Sequence, residues 1–439
     1  MSLPFEGLPV GWVIAFDIAL VVILGMLAWI ALLSAHARHA RRNAPEARAG
    51  ASDEFTWVFL VPALNEEITI RDSIERLLAI DLARRVIVVI DDGSDDATPG
   101  ILRDLAHPDV HVLRREPPHA RAGKAAALNH AYHALDGIAG TLDRGRTILV
   151  VVDADGRLHP TAPGFVAAHF ADAGVGGVQS LVRIYNRRRP LTWAQDVEFS
   201  VYGNLYQAGR NDWGTAGMGG NGQFNRLSAL DEIADRGGPW RDRMTEDQDL
   251  GLRLIAAGWT CRQELRAIVD QQGLPALGPL FRQRTRWAQG NLQAMRLIPA
   301  LWRAPLPRPA RVEQCAYLLM PLWQGIIGAA LLAAIALVAT GTAGFWPAAP
   351  WWQVIVIYVL GFGGSIAGCI ASRAGTGVRG VVAGLLIAQV YAFYSWLLWP
   401  VLVRAAARQM TRRGDWAKTQ REPLTAVVPL DRMAPPARL

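Results

Sequence analysis

With 439 residues, 51% of them hydrophobic and only 19% charged, the chain is too apolar for an ordinary soluble protein, yet long enough for one sizeable domain beside membrane segments. The net charge of +7 gathers beside apolar runs, where membrane topology accounts for it, and no nucleic-acid module is legible; no nucleic-acid partner is expected. Three scattered cysteines, Cys261, Cys315 and Cys369, argue against a disulfide framework or a zinc site and fit a reducing compartment.

The first apolar run covers 11–33 and is followed by His36, Arg38, His39, Arg41 and Arg42. About 20 apolar residues cross a hydrocarbon core of about 30 Å. A cleaved signal peptide would carry its basic residues before the run rather than after it. Residues 1–42 therefore read as a retained anchor, with the domain that follows on the cytosolic side.

Residues 55–272 have the composition of an α/β domain. Apolar strands at 57–61, 86–90 and 148–152 alternate with helical stretches such as 68–78 and 123–135. Continuous apolar strands between helices predict a parallel sheet covered on both faces. Each strand runs into a polar cluster: Asn65-Glu66-Glu67, Asp91-Asp92-Gly93 and Asp153-Ala154-Asp155. Ligands of open α/β sheets bind at that carboxyl edge, so the pattern predicts a nucleotide-type site.

Residues 273–310 hold an amphipathic stretch over 280–302, expected at the membrane surface and closed by Pro305, Pro307 and Pro309. Further apolar runs at 316–340, 351–371 and 381–403 make residues 316–403 a set of membrane helices, and 404–439 a basic tail. Four crossings from an external N-terminus put the tail outside, whereas its basic residues favour the cytosol. The sequence leaves the side of the C-terminus open.

Several groups carry chemistry. Asp153 and Asp155 at a strand end can share one hard cation, Mg²⁺ or Mn²⁺, of the kind that also takes phosphate oxygens; a solvated turn is the plain alternative. Asp91 and Asp92 can accept from a base N–H, or simply form a turn with Ser94. Gly123-Lys124 opens a helix and suits an anionic phosphate. Glu246 and Asp247 begin another helix, where acidic residues are ordinary dipole partners; alternatively one serves as a general base. Gln283, Arg286 and Trp287 share a helix face and offer an amide, a guanidinium and an aromatic platform.

These groups occur in the order Val61-Pro62-Ala63-Leu64-Asn65-Glu66-Glu67, Asp91-Asp92-Gly93-Ser94, Gly123-Lys124, Asp153-Ala154-Asp155, Thr245-Glu246-Asp247 and Gln283-Arg284-Thr285-Arg286-Trp287. With them the chain resembles the family-2 inverting glycosyltransferases of GT-A fold. In particular it resembles the membrane-integrated synthases of cellulose, chitin, hyaluronan and poly-N-acetylglucosamine. The resemblance implies a Rossmann-like catalytic domain inserted between transmembrane helices of a multi-pass protein of the cell membrane. The donor is then a UDP-sugar, glucose or N-acetylglucosamine foremost. The acceptor is a growing polysaccharide passed through the protein's own helices, or alternatively a lipid given a single sugar. It places Asn65, Glu67, Asp91, Asp92 and Lys124 around the nucleotide, and Asp153 and Asp155 on the metal and diphosphate. Asp247 becomes the base, with Glu246 beside the acceptor. Gln283, Arg286 and Trp287 cap the donor pocket, Trp287 also near the acceptor end. The segment Gly219-Gly220-Asn221-Gly222-Gln223-Phe224-Asn225-Arg226 is similar to the family's acceptor-site strand, with Gly220 and Asn221 at the acceptor, although relatives often carry Ser, Thr or Ala in place of Asn221 and Gln223. Trp416-Ala417-Lys418-Thr419-Gln420-Arg421 is similar to the family's basic tail segment.

Overall fold

A computed structural model of the protein describes residues 9–340, 358, 362–370, 372–373 and 377–411. Eight strands form one sheet: β1 Thr56–Ala63, β2 Arg85–Asp91, β3 Val110–Arg114, β4 Thr147–Val151, β5 Arg157–Leu158, β6 Val175–Ile184, β7 Gln223–Arg226 and β8 Thr260–Gln271. Their spatial order is β3-β2-β1-β4-β7-β6-β8-β5. In β1 every residue from Trp57 to Val61 is fully buried, because helices cover both faces of the sheet. Trp57, Phe59 and Val61 pack on one side with Ile70, Ile74 and Leu77; Val58 and Leu60 pack on the other with Leu128, Ala131 and Leu135. Emptying such a site, as in Leu60→Ala, costs about 2–5 kcal/mol.

The expectation of a parallel sheet holds for β3-β2-β1-β4 and for β6 beside β8. It fails at β7, which runs antiparallel to both β4 and β6, and at β5 against β8. The sheet is mixed. The chain reaches β7 after a long excursion through the helix Pro190–Val201, and Gln223-Phe224-Asn225-Arg226 has none of the apolar run that marks a buried strand. Its Phe224 fills the core against Trp57, while its polar residues are buried beside neighbouring strands.

Among the described residues three helical stretches are long and apolar enough to cross a membrane: Val10–Arg42, Met320–Leu337 and Gly377–Met410, with mean hydropathies of 2.7, 1.8 and 1.8. About half of the expected run at 351–371 lies outside the described residues, as does all of 416–421. The run at 381–403 does not end as expected. The chain turns at Leu398, where Pro400 opens a new helix, giving Gly377–Leu397 and Trp399–Met410. Its 21 residues make the first about 31 Å long, enough for a span. The second lays Val401 and Ala405 against Ala288 of the helix Leu277–Ala294.

The long N-terminal helix packs Ile30 and Leu33 against Val197, Val201 and Leu205 and adds polar contacts. Asp212 accepts from, or shares a proton with, Nδ1 of His36 at 2.7 Å and of His39 at 2.9 Å. Trp29 Nε1 donates to Glu313 at 3.1 Å, and Glu313 forms a buried ion pair with Arg210 at 2.9 Å.

Candidate active site

The carboxyl ends of β1, β2 and β4 point to one edge, and two clusters form there. On the β2 side, Asp91 is buried, with Oδ2 2.6 Å from Arg114 and Oδ1 accepting the Ser94 N–H at 2.9 Å. Asp92 Oδ1 receives Arg115 at 2.5 Å and the Arg121 N–H at 3.0 Å. Burial pushes the Asp92 carboxyl above its ordinary value, against the pull of the Arg121 N–H and of Arg115. Asn65, at a φ of 53°, donates Nδ2 to Asp95 at 2.6 Å and accepts the Asp95 N–H at 2.9 Å. Glu67 is exposed, and its Oε2 accepts the Ala97 N–H at 2.9 Å. Both residues stitch the loop after β1 to the loop after β2.

The second cluster lies at the end of β4. Lys124 starts the helix Lys124–Ala139, and its ammonium donates to Asp153 Oδ1 at 2.5 Å and to the Gly220 carbonyl at 2.7 Å. A Cβ at Gly220 would stand 3.0 Å from both Lys124 Nζ and Asp247 Oδ2, which puts the cation, the loop and the carboxylate in one group. Asp247 is half-buried at the start of the helix Glu246–Ala256, whereas Glu246 is buried. Burial opposes the Lys124 charge, yet Asp153 and then Glu246 hold its pKa above the ordinary value. Burial, with Asp247 adding to it, pushes Glu246 up to about 7. Asp247 is raised too, chiefly by burial, with Lys124 working the other way. Burial thus favours the protonated form of both neighbouring carboxyls, and each bears on the proton of the other.

Asp155 is buried, and its Oδ2 accepts the Gln272 N–H at 3.2 Å. The bend after it needs Gly156, where a Cβ would come within 2.8 Å of Asn221 Oδ1, the Asp153 carbonyl and Val152. Asn221 is itself buried. Its Oδ1 accepts the Asp153 N–H at 3.2 Å and its Nδ2 donates to Gln271 at 3.1 Å. Gln179 on β6 holds the same loop, accepting from Gly219 N–H and donating to the Asn221 carbonyl, each at 2.8 Å. Among the described residues no group of three or more His, Cys, Asp or Glu is arranged to hold a metal ion. The hard carboxylate oxygens of Asp153 and Asp155 fit Mg²⁺ or Mn²⁺ as a partial donor set that phosphate oxygens would complete.

On the helix Leu277–Ala294, Arg286 donates to the Met244 carbonyl at 3.1 Å, just ahead of Glu246 and Asp247. Trp287 packs edge-on to Phe199 at 6.0 Å and lies beneath the Arg284 guanidinium at 4.0 Å. Gln283 Oε1 accepts from Arg284 at 2.5 Å. The structure thus gathers Lys124, Asp153, Gly220 and Asp247 directly, brings Asn221 beneath them, and sets Asp91 and Asp92 in a separate cluster. Arg114, Arg115, Gln179 and Arg284 were not foreseen. Arg114 and Arg115 carry a faint signal, two cations at the end of a strand; Gln179 and Arg284 carry none without their partners.

The family described as "Glycosyltransferase like family 2" matches residues 56–290, just over half of the chain, and the protein belongs to that family. The chain is 31% identical over 291 residues to the β-monoglucosyldiacylglycerol synthase of Trichormus variabilis, covering 65% of this chain and 58% of that one. It is 26% identical over 240 residues to a poly-β-1,6-N-acetyl-D-glucosamine synthase of Staphylococcus epidermidis, covering 54% and 55%. The chain spans about half the length of the curated relatives it matches, 47% of the Synechocystis β-monoglucosyldiacylglycerol synthase. Among solved structures, the mannosyltransferase PcManGT of Pyrobaculum calidifontis, in complex with GDP-mannose and Mn²⁺, superposes with a TM-score of 0.56 at 20% identity, covering 90% of this chain and 100% of that one. The fold is a GT-A domain flanked by apolar helices.

Proposed function

We propose that the protein is a membrane-embedded, inverting glycosyltransferase that moves a sugar from a UDP-sugar to an acceptor hydroxyl at the membrane surface. The observation that carries this is the group of Lys124, Asp153, Gly220 and Asp247 at the end of β4, in a chain of glycosyltransferase like family 2. Asp91, Asp92, Asn65 and Glu67 frame the uracil end of the donor. Lys124 and Arg286 face its diphosphate. Asp153 and Asp155 would hold a divalent cation, which when bound neutralises charge on the departing diphosphate. Asp247, ionised, takes the proton of the acceptor hydroxyl as that oxygen bonds the anomeric carbon from the face opposite UDP, so the configuration inverts. Trp287 offers its ring to a sugar at the acceptor end.

The preferred acceptor is a growing polysaccharide, in keeping with the similarity to the poly-N-acetylglucosamine synthases. The 31% identity to β-monoglucosyldiacylglycerol synthases supports a second reading, one sugar added to a lipid hydroxyl. The experiment is a panel of UDP-sugars assayed for UDP release with membranes present, followed by the mass of the product. A ladder of product lengths supports the polymer, and a single addition on lipid supports the second reading. Absence of UDP release with every donor contradicts both.

A further inference from the structure

The Gln283–Trp287 segment was expected to act through Gln283, Arg286 and Trp287, which share a helix face. Arg284 points elsewhere and is buried. Its guanidinium nevertheless touches two of those three residues. Nη1 donates to Gln283 Oε1 at 2.5 Å, and the guanidinium carbon sits 4.0 Å from the Trp287 ring centroid. Nη2 donates to Glu198 Oε2 at 2.6 Å, on the helix Pro190–Val201. The same Glu198 oxygen accepts the Tyr394 hydroxyl at 2.7 Å, and Tyr394 is buried on the helix Gly377–Leu397 among Ala194, Leu274 and Leu280.

We propose that Arg284 is a positioning residue, which fixes the amide of Gln283 and the ring of Trp287 and ties both, through Glu198 and Tyr394, to the membrane helix Gly377–Leu397. The inference rests on the glycosyltransferase reading above, in which Gln283 and Trp287 cap the donor pocket and Trp287 meets the acceptor. A planar guanidinium can bond in its plane and stack on its face at once, which a lysine ammonium cannot. Burying an arginine costs several kcal/mol that its carboxylate partner repays only with good geometry, so buried ion pairs are poor devices for stability and better attested as devices of register. Burial opposes the Arg284 charge and Glu198 more than restores it, so the group keeps its charge in place. Finally, Glu198 is the shared acceptor of two donors from two different helices, so a displacement of the helix Gly377–Leu397 acts on the same oxygen that sets Arg284.

The test is a double-mutant cycle on the full-length protein in membranes, reading sugar transfer and UDP affinity together. Arg284→Lys keeps the charge and removes the fork. It should slow transfer about tenfold or more, the scale of small misplacements at a reacting centre, with UDP affinity within about twofold of the parent. In a Trp287→Ala background the same change should cost about threefold or less, because only the Gln283 amide is left for Arg284 to place. Tyr394→Phe removes one hydroxyl, leaves the Arg284–Glu198 pair, and should cost about threefold in transfer. Equal losses from Arg284→Lys with and without Trp287, or parental rates for both Arg284→Lys and Tyr394→Phe, overturn the proposal. Loss of UDP affinity in Arg284→Lys also overturns it, by making Arg284 a donor-site or folding residue. A parent that releases no UDP with any donor overturns the glycosyltransferase reading and this role with it; a parent that turns over separates the two.

Discussion

The two acidic clusters at the carboxyl edge of the sheet are built on opposite electrostatic plans. At the end of β2 each carboxylate has its own arginine, Asp91 with Arg114 and Asp92 with Arg115, and the cluster is complete without a ligand. At the end of β4 Asp153, Glu246 and Asp247 surround one ammonium, Lys124, with Arg286 at the margin. Two of those carboxyls are raised by burial, which Lys124 and Arg286 offset only in part. The first cluster is held in shape by its own ion pairs, and in the proposed reading that fixed frame meets the uracil end of the donor. The second has the charge pattern that the proposed cation and proton chemistry calls for.

The comparison can be broken most severely at the second cluster. Asp155→Asn, or chelation of divalent ions, should abolish transfer while the far-UV circular dichroism and melting behaviour of the parent are kept. Full turnover in excess chelator would show that no metal is needed there. The first cluster should fail differently. Arg115→Ala leaves Asp92 buried without its partner and should cost about 3 kcal/mol of stability, read as a lowered melting temperature. Transfer by the fraction that stays folded should keep the parental pH profile.

The smallest effects concern protons. Because Glu246 sits near 7 and Asp247 is also raised, the folded chain binds more protons there than the unfolded one. The stability this gives is present in acid and is lost as pH rises through about 7. Transfer should change in the opposite sense, rising with pH as Asp247, itself raised by burial, ionises. Lys124→Gln removes a charge that favours the Asp247 carboxylate and should move the midpoint of the rate profile to higher pH. A midpoint unmoved by Lys124→Gln would detach Lys124 from the base.

Much of this is legible in the sequence. The runs at β1, β2 and β4 are short, apolar and followed at once by acids, because a doubly covered strand must be apolar until it reaches the ligand edge. Asp153 could be named as a candidate from such a position, whereas Asp247 sits at a helix start and is singled out through the family resemblance. The antiparallel β7 was not legible as a buried strand, because Gln223, Asn225 and Arg226 look like surface residues until β4 and β6 enclose them. Likewise Asn221 reads as an acceptor contact in sequence, while in the fold its buried amide holds the Asp153 backbone. Arg284 could not be separated from its neighbour Arg286, since only the position of Glu198, 86 residues away in sequence, tells them apart. The break at Leu398 was lost inside a continuous apolar run, where Pro400 was the one available cue.

One measurement reaches the centre of the account: initial transfer rate and UDP affinity of Asp247→Asn beside the parent, in the same purified, folded preparation. If Asp247 serves the acceptor hydroxyl, the rate falls about 10²–10⁴-fold and UDP affinity stays near the parental value. If it merely favours the start of its helix, the cost is about 0.3–1 kcal/mol of stability and the enzyme stays largely active. A near-parental rate, or a variant that no longer binds UDP, contradicts the assignment of Asp247 as the base.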